Sequence, residues 1–261
     1  MQRHVVGFVV AVVAVLLVAG ATPVTRAQEA MPWMRVDILE VIPQELDEFI
    51  EVQLEQVNPA LRRAGVQWRS AWRTAEFGNQ YERMFVTPMD DLAELDRGGP
   101  LAFALDRRDR ERMEDRVRRT ISGHRTYALR YRPELSVESP NAGGLALAWI
   151  TTLEVAPGRL ADWQAFMRER LPLFRGDNVV FGMYERYLGS GAAVWQLVEN
   201  HSSFTELNSP TIMQRALGAR TSDTAAGLAG VVLSVERTVL RYDPELSFSG
   251  AGAAPEGGRF R

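Results

Sequence analysis

Apolar and polar residues alternate over Met34–Pro43, MRVDILEVIP, which predicts a strand ending at the proline. The period then changes. Leu46, Phe49, Ile50, Leu54, Val57 and Leu61 recur at helical spacing, and Gln53 is the one polar residue on that stripe. Pro59 is expected to break or bend this helix near its end, and Gly65 to close it. Alternation returns in VQWRSAWRTAEF, where Trp68, Ser70 and Trp72 share one face and Arg69, Ala71 and Arg73 the other. After the turn GNQ, YERMFVTP reads as a strand. The stretch Met89–Ile121 is mostly helical in pattern, and HRTYALRYRPEL closes the segment as a strand.

The second half repeats this order. LALAWITTLEVAPG predicts a strand ending at Pro157-Gly158, and Leu160, Trp163, Phe166 and Met167 mark the inner side of the helix that follows. NVVFGMYERYLG and AAVWQLVEN predict two strands around a Gly-Ser-Gly turn. SSFTELNSPTIMQRALG and the Ala/Gly-rich stretch beyond it read as helix, and VVLSVERTVLRYDPEL as a last strand. The halves also share words. RYRPELS at Arg130–Ser136 returns as RYDPELS at Arg241–Ser247, Leu39-Glu40-Val41 as Leu153-Glu154-Val155, and Ala104-Leu105 as Ala216-Leu217. The spacing between equivalents shrinks in single-residue steps, as small loop changes between two copies of one unit would produce.

Each unit is therefore β-α-β-β-α-β, the ferredoxin-like order. One such sheet leaves a face bare, and two can cover each other. The expected fold is α+β: two tandem ferredoxin-like repeats, 34–136 and 147–247, forming an intrachain α+β barrel. Pro133 and Pro244 mark where each last strand exits, since proline cannot continue a paired central strand.

Composition adds a compartment. Residues 1–27 read as a secretory signal: Arg3 is followed by the uncharged apolar run Val5–Gly20, with Thr25 and Ala27 placed for cleavage. The expectation is an exported chain, periplasmic or secreted, not held in the membrane once cleaved. Residues 248–261 read as a flexible Gly/Ala-rich tail. The chain has no Cys, which excludes disulfides, thiolate nucleophiles and Cys metal sites. It has no Lys either, and its net charge of −3 gives no global attraction to nucleic acid. The alternating charges of Asp106–Arg119 fit a solvated helix with i,i+4 pairs.

The strand, Pro-Gly and amphipathic helix of LEVAPGRLADWQAFMRERLP, together with VENHSSFTELNSP, resemble the dimeric α+β barrel group. The similarity is to domains like antibiotic-biosynthesis monooxygenases and NIPSNAP proteins, over Met34–Ser136 and Leu147–Ser247. The resemblance implies a ligand between sheet and helices or between stacked sheets. It also implies activities ranging from cofactor-free monooxygenases and isomerases to fused haem enzymes.

Candidate chemistry is sparse. His124 and His201 are the two His of the mature chain, each readable as a general base or a haem ligand, or else as an ordinary strand-edge residue. Trp68 and Trp72, with Phe181 opposite Trp68 and Glu185 opposite Trp72, outline an aromatic pocket for an apolar or aromatic ligand, or else plain sheet packing. Arg73 and Arg186 align between the halves and could bind an anion or form ion pairs with Glu76 or Glu185. No metal-ligand spacing, nucleotide loop or nucleophile elbow occurs. The expectation is a small-molecule-binding or structural module without a cofactor. The alternative is an oxidoreductase, cofactor-free or haem-bound. Pairing of whole chains is left open.

Overall fold

The computed structural model describes residues 33–138, 146–176, 180–189, 193–210 and 227–249. The signal segment, residues 250–261 of the expected tail and residues 211–226 of the helix expected from Ser202 lie outside these residues. Of residues 202–210 only Glu206–Asn208 is helical, as a 3-10 turn, and the first two residues expected in the tail, Phe248 and Ser249, are instead held in a short strand. In the first half, β1 (Trp33–Val41) lies between β3 (Glu82–Met89) and β4 (Ile121–Tyr131), and β2 (Trp68–Thr74) pairs with β3. In the second half, β5 (Leu147–Val155) lies between β7 (Ala193–His201) and β8 (Val232–Tyr242), and β6 (Gly182–Leu188) pairs with β7. Both halves thus run through their strands in the same order. Two seams join them, β4 with β6 and β2 with β8, and the sheet closes into an eight-stranded antiparallel barrel. A two-residue strand, β9 (Phe248–Ser249), pairs with the start of β2. Closure leaves the eight strands without a free edge.

The repeated phrase fastens these seams. After β4, Arg132 N–H donates to Met183 O at 2.9 Å, and Ser136 Oγ accepts from Met183 N–H at 2.9 Å. After β8, Asp243 N–H donates to Ala71 O at 2.9 Å, and Ser247 Oγ accepts from Ala71 N–H at 2.8 Å. Each serine also donates back to its own turn, Ser136 to Arg132 O and Ser247 to Asp243 O. Each closing phrase therefore ties its strand to the other half.

Met183 occupies in β6 the place that Ala71 occupies in β2. That puts Tyr184 at the place of Trp72 and Glu185 at the place of Arg73. The alignment read from sequence is one residue off here, and a one-residue slip turns a strand over.

Every strand sends side chains into the barrel. Val36, Trp72, Val86, Leu129, Ile150, Tyr184, Val198 and Leu240 belong to one buried cluster, contributed in order by β1, β2, β3, β4, β5, β6, β7 and β8. The space between the two half-sheets is a packed core.

Helices cover the outer faces. On the second half, α5 (Leu160–Gly176) lays Trp163, Met167, Leu171 and Phe174 onto Phe181, Met183 and Trp195. On the first half the long helix comes in three segments, two α-helical and one wider between them: α1 (Leu46–Val52), a π-helical segment Gln53–Val57, and α2 (Asn58–Arg63). Pro59 does not end the helix. It has no N–H to give, and the ladder widens just before it, with Asn58 N–H reaching Gln53 O. Gly65, at φ 88°, closes the run.

The region expected to be one long helix after Met89 is divided. Gly98 and Gly99, at φ 90° and 73°, separate a 3-10 turn (Leu92–Arg97) from α3 (Pro100–Ala104) and α4 (Arg107–Arg119). On α4 the charged face is solvated, with Arg107–Glu111 an i,i+4 pair at 2.7 Å, and Met113 turns inward.

Candidate functional site

Those interruptions open a pocket of about 550 Å³ between the outer face of the first half-sheet and its helices. Its floor is polar: Arg35 and Asp37 from β1, Arg69 from β2, Thr87 from β3 and His124 from β4. Its roof is apolar, with Val57 from the π-helical segment, Leu61 from α2 and Met113 and Val117 from α4. Gly98 and Gly99 form part of the rim. The register explains the floor. Arg35 faces Thr87 across β1 and β3, and Leu39 faces His124 across β1 and β4, so these outward side chains meet under the helices.

Asp37 is the centre of a trio with Arg35 and His124. Arg35 grips it through Nε and Nη2, both at 2.9 Å, and His124 Nε2 stands 2.9 Å from its Oδ1. Burial works against the charged carboxylate. The hydrogen bonds from His124 and Arg35 outweigh it, and Asp37 is held below the ordinary aspartate range. An ionised carboxylate only accepts, so the shared proton belongs to Nε2, and Nδ1 is the basic nitrogen of the ring. His124 is 42% exposed, within reach of a bound molecule and of water.

This arrangement has a consequence for acid stability. A depressed pKa contributes stability above the unfolded-state value and loses it as pH falls through the folded one. Asp37→Asn is therefore expected to destabilise the protein most near neutral pH. The gap to the parent should narrow below about pH 4, the unfolded aspartate value. Urea unfolding from pH 7 to pH 2 checks this, and a gap independent of pH would contradict it.

Arg69 lies deeper and is only 6% exposed. Its Nη1 donates to Gln53 Oε1 at 2.9 Å and to Asn58 Oδ1 at 2.7 Å, and its guanidinium covers the Phe85 ring at 3.8 Å. Asn58 is itself anchored to Leu246 O at 3.0 Å. The π-helical segment begins at Gln53 and is followed directly by Asn58, so the change of pitch brings both amide oxygens onto the arginine.

Of the residues singled out in the sequence, His124 lies in this pocket. His201 ends β7, with Nδ1 3.4 Å from Glu206, away from the pocket wall. Trp72 is wholly buried inside the barrel, and Trp68 packs against the same core. Phe181 lies on the opposite side of its sheet, edge-on to Phe174 beneath α5. The structure thus does not bring Trp68, Trp72 and Phe181 into one pocket. Arg186 covers the Tyr127 ring at 3.9 Å, whereas Arg73 is on the outer face of β2 facing Arg241 and Arg83. The carboxylates expected beside them go elsewhere, Glu185 to Arg132 at 2.6 Å and Glu76 to Arg241 at 3.4 Å.

Arg35, Asp37 and Arg69 were not singled out. The signal was present: charged residues recur on strand faces that the helices must cover. So was Gln53, polar on an apolar stripe.

Among the described residues no cluster of three His, Asp or Glu could hold a metal. The donors suit a haem iron poorly. His124 gives its Nε2 to Asp37, and His201 is not on the pocket wall.

No protein-family profile matches the chain, and no curated protein matches it. Solved structures do. An anthrone oxidase-like protein superposes with a TM-score of 0.56 at 10% identity, covering 87% of this chain and 97% of its own. The fold is that of the dimeric α+β barrel proteins. A candidate monooxygenase from Lactobacillus acidophilus NCFM matches at a TM-score of 0.50 and 10% identity, over 87% of this chain and 97% of its own. Chlorite dismutase from Candidatus Nitrospira defluvii matches at a TM-score of 0.52 and 9% identity, over 83% and 93%. At such identities the α+β barrel is common property, and the chemistry must be argued from this chain's own pocket.

Proposed function

We propose that the first-half pocket binds a small aromatic molecule with an acidic C–H or O–H group, and that the chain is a cofactor-free oxidoreductase. His124, fixed by Asp37, takes the acidic proton. The resulting anion is electron-rich enough to pass electrons to dissolved O₂. The observation that carries this reading is the 2.9 Å His124–Asp37 contact on the polar floor of a pocket of about 550 Å³ whose roof is apolar. Such a pair is the usual way to hold an imidazole in one tautomer as a general base. The oxygenase-like names among the structural neighbours agree with it.

Anthrone is a suitable probe. His124 removes a methylene proton, O₂ accepts electrons from the anion, and the methylene carbon exchanges two C–H bonds for one C=O. One anthrone and one O₂ give one anthraquinone and one water, so no further reductant is needed. Oxygen uptake and anthraquinone formation by the mature chain test the reading. Binding without oxygen uptake would leave a small-molecule-binding module. A 300–700 nm spectrum on the same sample covers the haem alternative, since a Soret band would replace the cofactor-free reading.

The like order of strands in the two halves supports descent from one duplicated unit. The apolar N-terminal run supports export. An intact-mass measurement on the secreted protein is expected to show a chain starting at Gln28, and retention of residues 1–27 would count against cleavage.

A further inference from the structure

Arg69 is a buried cation with no hydrogen-bonded carboxylate; Asp37, already gripped by Arg35, acts on it only through space. Among the described residues, its hydrogen-bond acceptors are the neutral amides of Gln53 and Asn58, and its Nε is buried without an acceptor. The other charges around the pocket are already matched. Arg35 holds Asp37, Arg110 stands 3.7 Å from Glu114, and Arg118 holds Asp115 at 2.7 Å. Arg69 is therefore the surplus charge on the pocket floor. Burial draws its pKa down to about 10, and it stays cationic at neutral pH. A charge in such a place is expected to be met by an opposite one.

We infer that the pocket takes a monoanionic carboxylate, and that Arg69 is the residue that binds the carboxylate group. This deepens the proposed function and rests on the pocket being a ligand site. One surplus positive charge matches a carboxylate better than a phosphate dianion. A planar guanidinium held by two amides and a ring presents its remaining N–H groups in fixed directions, as carboxylate recognition requires. The apolar roof of Val57, Leu61, Met113 and Val117 takes the hydrocarbon part. The ligand class is thus an aromatic or similarly apolar carboxylic acid, with its acidic proton near His124 and its carboxylate at Arg69.

The test compares two molecules of one shape and different charge, 1-hydroxy-2-naphthoate and 1-hydroxy-2-naphthamide, by isothermal titration at neutral pH. The wild-type protein should bind the naphthoate at least about 10-fold more tightly, in line with a charge-assisted contact to a desolvated partner. Arg69→Met should abolish that preference while keeping the weaker amide binding, and Arg69→Lys should keep part of it. Equal binding of both compounds by the wild-type protein would overturn the anion assignment and leave the pocket reading standing. A preference that survives in a folded Arg69→Met variant would remove Arg69 from recognition. Binding of neither compound would overturn both readings. Should Arg69→Met fail to fold by circular dichroism, the wild-type ratio and Arg69→Lys decide. The readout is binding alone, so absence of oxygen uptake does not affect it.

Discussion

Replacing His124 with alanine is expected to lower anthrone turnover by about 10²–10⁴-fold, the usual contribution of a positioned general base. The loss should fall on kcat and kcat/KM together, because the imidazole acts as the proton moves and adds little to ground-state binding. The pocket itself survives the change, since His124 lies at its wall and its ring is 42% exposed. Asp37→Asn should give a smaller loss in the same direction. The ring remains, but an amide can donate to Nε2 as well as accept from it, so the proton is no longer fixed on Nε2. His201→Ala serves as the control and should leave turnover unchanged, because that ring is not on the pocket wall. Steady-state oxygen uptake by the three variants decides. Wild-type rates in His124→Ala would take this residue out of the chemistry.

Trp72→Ala is expected to destabilise the protein by about 3–5 kcal/mol, the range for emptying a large buried aromatic site. Trp72 is 0% exposed, donates from Nε1 to Ser70 Oγ at 3.0 Å, and meets the edge of Tyr242 with ring centres 5.2 Å apart. Tyr242 is its register partner across the β2–β8 seam, so the cavity would open where the two halves join. Against a total stability of about 5–15 kcal/mol, that is a large share. For a domain of this size it corresponds to a fall in Tm of about 6–20 °C. Urea unfolding followed by circular dichroism measures it. A change below about 1 kcal/mol would mean that the barrel interior is not packed as described.

A great deal of this protein was readable along the chain. Alternation in β1 and β2 and the helical stripe from Leu46 to Leu61 marked elements that the structure contains. The order of elements pointed to the α+β barrel, and RYRPELS with RYDPELS marked the two strand exits at which the halves are fastened. These are local or repeating signals, fixed by the period of the side chains and by the chemistry of proline and serine. Register was harder. The alignment set Phe181 opposite Trp68 and Glu185 opposite Trp72, whereas the seam hydrogen bonds set Tyr184 at the place of Trp72. One residue of slip is invisible to a repeat search and reverses every side chain.

The sequence by itself determined where the eight barrel strands and the Leu46–Leu61 helical stripe run, and that the fold would be an α+β barrel; it did not show the division of the Met89–Ile121 stretch. The tertiary structure decided where the chemistry lies. It filled the space between the half-sheets with side chains from all eight strands, which turned the two tryptophans into core. It placed the pocket under the first-half helices instead, lined by the π-helical segment and by Gly98 and Gly99. Asp37 and His124 are far apart in the chain, as are Gln53 and Arg69. Alternation shows only that Asp37 and Arg69 stand on polar faces. That both faces are roofed, so that these charges are buried and must find partners, follows only from how β1, β2, β4 and the helices pack.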